Sequence, residues 1–431
     1  MIKTAVVILN WNGEAMLRQF LPSVIACSRL EGTEIYVADN ASTDASCEVV
    51  EKEFPSVHLI RLDKNYGFAD GYNYALQKID AEYAVLLNSD VEVTEGWLQP
   101  MVDYLDTHPE TVACQPKIRA YRHRNLFEYA GASGGFIDRY GYPFCRGRVF
   151  ESVEEDKGQH DEVIPVFWAT GAALMIRLDV YRNVGGLDGR FFAHMEEIDL
   201  CWRLRSRGYQ LVCIPSSTVY HVGGATLKKE NPRKTFLNFR NNLLMLYKNL
   251  PEEELKPVMR VRTFLDYCAA AVWVLKGDFA NAKAVWNARR EFFRIRSQFT
   301  ADRQQNLAHT VLKTIPERYS FSLVWQAKVK GRKTFSALSH LEFLIQTLHR
   351  KAHDIEIGTF QSGNSHKANP FLYSVCSRFV QWPEFLYIKF NFILCQYVEC
   401  DLSSSGERTL QATGHQTYSG NYLVCLAGKF P

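Results

Sequence analysis

This sequence predicts an α/β fold with a mostly parallel sheet flanked by helices, and three observations carry that expectation. Short apolar runs alternate with stretches of helical spacing through residues 5–93. The runs are apolar throughout, as expected for strands buried on both faces of a parallel sheet. Each ends abruptly in a short polar loop.

Ala5 to Leu9, AVVIL, is the first strand, broken by Asn10-Trp11-Asn12-Gly13. Leu17, Phe20, Leu21, Val24 and Ile25 then recur at helical spacing, with Pro22 inside the helix, where it removes a hydrogen bond or bends the axis. Thr33 to Ala38 is the second strand and ends at Asp39-Asn40-Ala41-Ser42-Thr43-Asp44. Ser42 or Asp44 can cap the next helix, which closes near Phe54-Pro55. Val57 to Arg61 is the third strand. Lys64-Asn65-Tyr66-Gly67-Phe68 follows it, then a helix over Ala69 to Ile79. Ala84 to Leu87 is the next buried run and stops at Asn88-Ser89-Asp90.

Three strands thus end in polar loops on one sheet edge, where open α/β sheets bind ligands. The loop after the first strand is neither GxGxxG nor GxxxxGK[ST], so a glycine-rich phosphate cradle is excluded there. A bound diphosphate would need its charge met another way, and a divalent metal near Asp90, a hard oxygen donor, is the economical choice. Asn88 and Asp90 could instead simply cap the helix that starts near Glu95.

The chain has 431 residues, 47% of them hydrophobic, which leaves room for two or three domains with a real core. Fifty basic against 47 acidic residues, a net charge of +3, give no sign of a nucleic-acid partner. Eleven cysteines are scattered without CxxC pairs, which suits reduced core residues. Met1-Ile2-Lys3 leads straight into a strand without a signal-peptide pattern, and no uncharged run is long enough to span a bilayer. The expected location is cytoplasmic, with the inner face of the membrane as one variant.

In the middle of the chain, residues 112–148 are basic, aromatic and glycine-rich, and read as a solvated or anion-facing loop. The acidic stretch from Glu151 to Asp161 reads as an exposed loop. Residues 163–177 are strand material interrupted at Thr170-Gly171, and an internal glycine marks a bend or close approach. Phe191 to Arg203, FFAHMEEIDLCWR, sets Glu196, Glu197 and Asp199 before a helix beginning near Ile198 or Asp199. Acids at a helix start favour the macrodipole, but their apolar neighbours should also raise their pKa, which suits a general base. His221, in VYHVGG, follows a strand and is a competent metal ligand or a structural histidine.

VVILNWNG, VADNASTD, the Asn65-x-Gly67-Phe68-Ala69-x-Gly71-x-Asn73 run and LLNSDVEV, in that order, resemble glycosyltransferase family 2, and the rhamnosyltransferase-like subgroup most of all. The resemblance implies a GT-A type nucleotide-diphospho-sugar transferase fold followed by a helical C-terminal region. It implies that Asp39 contacts the nucleobase and that Asn10, Trp11, Asn65, Gly67 and Asn88 bind the nucleotide sugar. NSD takes the place of a DxD motif, with Asp90 a better ligand than Asn88. His221 completes the site for Mg²⁺ or Mn²⁺, or touches the diphosphate. Glu197 falls at the catalytic-base position, and Trp168, Gly171, Asp188, Glu196 and Asp199 fall around the sugar and acceptor pocket. The family usually writes GGFDE where this chain has Gly185-Gly186-Leu187-Asp188-Gly189, which puts acceptor contacts beyond Asp188 in question.

Residues 252–293 read as two helices, the second crowded with Arg289, Arg290, Arg294 and Arg296. They fit either an anionic membrane surface or packing on the catalytic domain. The resemblance extends to Ala337. The expected division is 1–250 catalytic, 251–339 helical, and 340–431 an unassigned, poorly ordered tail. The expected activity is inverting transfer from a nucleoside diphosphate sugar, with dTDP-rhamnose a candidate, to a glycan or lipid-linked acceptor in cell-surface glycan synthesis. Two rivals are a sugar nucleotidyltransferase, which needs a glycine- and basic-rich first loop, and a non-catalytic sugar-binding subunit, which needs no EEID.

Overall fold

The computed structural model describes residues 2–223 and 231–342. Residues 224–230 and the tail from 343 to 431 lie outside them. Strands β1 (Ile2–Asn10), β2 (Thr33–Asp39), β3 (His58–Arg61) and β4 (Ala81–Asn88) are parallel, in the order β4-β1-β2-β3. Helices α1 (Glu14–Cys27), α2 (Ser46–Glu53) and α3 (Gly67–Gln77) connect them, and α1 runs through Pro22 without ending. The register sets Asn10 beside Asp39 and Leu9 beside Asn88, so the polar loops meet along one edge.

The apolar runs are buried on both faces because helices cover both. Ala84 and Leu86 of β4 point into the core with Tyr72 and Ala75 of α3, while Val85 and Leu87 point to the opposite core with Leu17 and Leu21 of α1. All four strand residues are fully buried, and truncating either leucine to alanine should cost about 2–5 kcal/mol.

Beyond β4 the sheet becomes mixed. After β5 (Val91–Val93) and α4 (Gln99–Thr107) comes β6 (Thr111–Ala120). Strands β7 (Gly135–Asp138), β8 (Pro143–Cys145), β9 (Arg148–Val149) and β10 (Ser152–Val153) form a second small sheet. β11 (Ile164–Pro165) and β12 (Ala173–Arg177) return to the main sheet, and β12 lies antiparallel between β4 and β6. α5 (Leu178–Asn183) and α6 (Glu196–Ser206) lead to β13 (Gln210–His221), parallel to β6 and antiparallel to β5 and β11.

The basic stretch of residues 112–148 is not a solvated loop but holds β6, β7 and β8, whereas the acidic stretch from Glu151 to Asp161 is largely exposed as expected. Arg146 and Arg148 are buried, with Arg146 donating to the carbonyls of Ser133 and Glu162. Asp156 is not a free loop acid but pairs with buried Lys117.

Four helices follow: α7 (Pro232–Asn249), α8 (Glu252–Leu275), α9 (Phe279–Ile295) and α10 (Thr300–Ala308). α7 packs between α6 and α9, and β14 (Arg318–Tyr319) pairs with β7. Buried Arg262 of α8 donates to the Tyr140 carbonyl. Among the described residues no helix is long and apolar enough to cross a membrane, and the seven cysteines there are free.

Candidate active site

The ends of β1 and β2 are tied to each other. Asn10 donates to Asp39 Oδ1 at 3.2 Å and to Ser42 Oγ at 3.3 Å, and Asp39 Oδ2 accepts from the Ser42 amide at 2.9 Å. Asn10 Oδ1 is buried without a partner, and a Cβ on Gly13 would sit 2.3 Å from it, so only glycine lets the chain pass there. Asn12 accepts from the Thr43 amide, closing the two loops together and leaving Trp11 exposed at the rim.

Asn40, which sequence reasoning passed over, clips the next loop to this edge. Its amide nitrogen donates to Asn65 Oδ1 at 3.1 Å and to the Gly67 carbonyl at 2.9 Å, and its oxygen accepts from the Tyr66 amide. Asn65 in turn accepts from the Gly67 amide. Gly67 has φ +77°, and a Cβ there would strike the Phe192 ring at 2.6 Å. It is therefore the point where the loop after β3 meets the loop before α6, as the Phe68 amide bonded to the Phe192 carbonyl also shows.

Asp90, between β4 and β5, and His221, at the end of β13, converge because β5 pairs with β13. Asp90 Oδ1 lies 3.2 Å from His221 Nε2, and the Asn88 amide lies 3.4 Å from the same nitrogen. Glu128, buried between Phe127 and Tyr129, faces His221 Nδ1 at 3.5 Å. Burial opposes charge on this imidazole, but Glu128 and Asp90 outweigh it and lift its pKa to about 10. A carboxylate and an imidazole side by side suit Mg²⁺ or Mn²⁺. With its pKa at about 10 the imidazole carries protons on both ring nitrogens, so a metal would bind at Nε2 only by displacing its proton, with Glu128 keeping the one on Nδ1. Among the described residues no three His, Cys, Asp or Glu side chains converge on one ion position, so Asp90 and His221 would supply only two of an ion's ligands and the diphosphate and water the rest.

The loop before α6 is strained. Phe192, His194 and Met195 have φ of 67°, 71° and 71°, left-handed values that non-glycine residues rarely adopt. Buried Asn241 of α7 fixes it by donating to the carbonyls of Phe191, Ala193 and His194 at 3.0, 2.9 and 2.8 Å. α6 begins at Glu196, earlier than the sequence suggested, so all three acids lie in its first turn. Glu196 Oε2 and Glu197 Oε2 are buried and accept no hydrogen bond. Burial raises Glu197 to about 7, and burial plus the neighbouring Glu197 charge raises Glu196 well above the usual carboxyl range.

Gly171 flanks Glu197: a Cβ there would touch the Phe68 ring at 3.1 Å and lie 3.8 Å from Glu197 Cβ. The next residue, Ala172, accepts from the Asn88 amide at 3.0 Å. Glu197 is thus joined through two residues to the strand end that carries Asn88 and Asp90.

Three expected pocket residues are placed otherwise. Asp199 is fully buried, bonded to Arg203 at 3.0 Å, Lys248 at 2.8 Å and Asn249 at 2.8 Å. Asp188 binds Arg190 and the same Lys248, each at 2.7 Å; burial works against its charge, but these two cations hold its pKa well below the usual range. Through Lys248 of α7, Asp199 holds α6 and Asp188 holds the turn before it, and both carboxylates are taken up by these contacts. Trp168 is 3% exposed, with its indole N–H given to the Phe136 carbonyl and its ring over Gly135. It supports the wall from behind. The departure at Gly189 also has a cause, since a Cβ there would lie 2.1 Å from the Asp70 carboxylate.

Residues 5–185 match the model of glycosyl transferase family 2. Over 230 residues the chain is 25% identical to the N-acetylglucosaminyl-diphospho-decaprenol L-rhamnosyltransferase of Mycobacterium tuberculosis, covering 50% of this chain and 75% of that protein. Over 165 residues it is 23% identical to rhamnosyltransferase WbbL of Escherichia coli, covering 36% of this chain and 61% of WbbL. A solved structure of S. aureus TarS 1-349 with UDP-GlcNAc is similar at 14% identity and a TM-score of 0.46, over 71% of this chain and 89% of that one, a likeness too distant to argue from. Residues 5–185 thus belong to glycosyl transferase family 2, and the chain is a nucleotide-sugar glycosyltransferase built on a GT-A-like α/β fold.

Proposed function

We propose that this protein transfers a sugar, with inversion, from a nucleoside diphosphate sugar to a lipid-linked or polysaccharide acceptor during cell-surface glycan synthesis. A deoxythymidine diphosphate rhamnose donor fits the names of the two rhamnosyltransferase relatives. In this reading residues 1–250 are the catalytic part and 251–339 a helical part that braces it. The observation that carries the reading is Glu197, a buried carboxylate with an unpartnered oxygen and a pKa raised to about 7. Such a group takes a proton near neutral pH, which is what a hydroxyl nucleophile requires.

Glu197 Oε2 accepts the proton of the acceptor hydroxyl as that oxygen bonds to the anomeric carbon. The bond from this carbon to the diphosphate breaks on the opposite face, so the configuration inverts and the nucleoside diphosphate leaves. Asp39 and Asn10 bind the nucleoside end, with Trp11 at the rim. Asp90 and His221 would hold Mg²⁺ or Mn²⁺, which when bound neutralises charge on the leaving diphosphate. Gly171 and Phe68 pack beside Glu197 and would form the acceptor side of the site.

The test is slow donor hydrolysis by the purified full chain against a panel of thymidine and uridine diphosphate sugars. Turnover of one donor, with the others idle, supports the reading. A protein that binds donors but hydrolyses none and transfers to no acceptor is a binding subunit instead.

A further inference from the structure

Eight of the fifteen large hydrophobic residues that stand exposed among the described residues fall between Phe264 and Phe293. They are not scattered. On α8, Phe264, Tyr267, Ala271 and Leu275 are exposed at spacings of three, four and four, with exposed Val272 beside them, which puts them on one side of the helix. On α9, Phe279, Lys283, Trp286, Arg290 and Phe293 follow at intervals of four, three, four and three, a single line of alternating aromatic and cationic side chains. The two lines are neighbours, since the rings of Tyr267 and Trp286 lie 6.0 Å apart. The turn between the helices is apolar as well, with Leu275 87% and Phe279 66% exposed beside exposed Lys276.

Charge on this face has one sign. Lys283 and Arg290 are exposed and have no acidic partner among the described residues. The nearby acids are occupied elsewhere. Asp266 is buried between Arg262 and Arg289, Asp278 caps α9 through the Asn281 amide, and Glu291 pairs with Arg294.

From this geometry we infer that the α8–α9 face lies on an anionic lipid bilayer surface. Aromatic and aliphatic side chains enter the headgroup boundary there, and Lys283 and Arg290 meet lipid phosphates. A second copy of the chain is a poorer occupant. A two-fold contact brings the same patch together twice, crowding four unpaired cations into an apolar interface that holds no free acid. The inference deepens the reading of a lipid-linked acceptor and rests on that reading for its purpose, but the contact itself depends only on this face.

The experiment is co-sedimentation of the full chain with phosphatidylcholine vesicles, with and without phosphatidylglycerol. The wild type should sediment with the anionic vesicles, and less so as salt rises. Each cation near such a surface is worth roughly fivefold in partitioning, so Lys283→Glu with Arg290→Glu should lower it by at least about 25-fold. Phe279→Ser with Trp286→Ser should weaken binding even at low salt. All four side chains are exposed and outside the catalytic residues, so donor hydrolysis in detergent-free buffer should stay at the wild-type rate. That readout separates failure of this inference from failure of the enzymatic one. No sedimentation of the wild type, equal sedimentation of the variants, or a dimer that Trp286→Ser dissolves would each overturn it.

Discussion

Asn241→Ala should damage turnover without touching donor binding. The Asn241 amide has two hydrogens for three carbonyls at 2.8–3.0 Å, so two bonds are lost and the carbonyls stay behind in a fully buried place. Each net bond is worth about 1 kcal/mol, and stranding buried acceptors adds about 1–3 kcal/mol, so the fold should lose roughly 3–5 kcal/mol. The three left-handed residues in this loop each carry about 1–3 kcal/mol of strain, which persists only while neighbours over-determine it. Without Asn241 the loop relaxes and Glu197 swings with it. Urea denaturation should show the stability loss. Donor hydrolysis at saturating donor should fall at least about tenfold, the cost of misplacing a base. Affinity for the nucleoside diphosphate, measured by calorimetry, should stay within about twofold, since Asn10 and Asp39 are on the far strands. A stability loss under about 0.5 kcal/mol, or equal losses in binding and turnover, would refute the reasoning.

Other outcomes follow from the same geometry. Glu197 must be ionised to act, so kcat/KM for donor hydrolysis should rise with pH to a plateau with its midpoint near 7, a limb that Glu197→Gln should abolish. Its pKa is raised on folding, so the folded state holds the extra proton; stability from this group should be lost as pH rises from the ordinary carboxyl range through about 7. Asp90→Ala or excess chelator should abolish turnover, and Glu128→Gln should weaken Mn²⁺ binding about 10–100-fold by titration. Gly189→Ala should cost about 1–3 kcal/mol through the clash with Asp70, and Asp70→Ala in the same chain should restore most of it, as thermal unfolding would show.

The strand–helix alternation of residues 5–93 was legible because buried parallel strands are apolar on both faces and stop at polar loops, as Ala84 to Asn88 does. Strands β7 to β10 were not, because they are two to four residues long and take their order from partners elsewhere in the chain, whereas the strand material of residues 163–177 became β11 and β12. Asp188 and Asp199 read as pocket acids because Lys248, which claims both, lies 60 and 49 residues further on in α7. Glu128 sits alone among aromatic and basic residues, and only the end of β13 brings His221 to it. Asn40 was visible in VADN, and an Asn directly after a strand-end aspartate is a fair signal of a loop clip. The line of Phe279, Lys283, Trp286, Arg290 and Phe293 was present as a spacing, but exposure was needed to distinguish it from a packed face.

The central claim is that Glu197 takes the proton. Glu197→Gln keeps the size and shape of the side chain, so the fold and nucleoside diphosphate affinity should match the wild type. Single-turnover hydrolysis of the preferred donor should drop by about 10²–10⁴-fold. Hydrolysis within about threefold of wild type, with donor binding intact, would contradict the account and move the proton to another group.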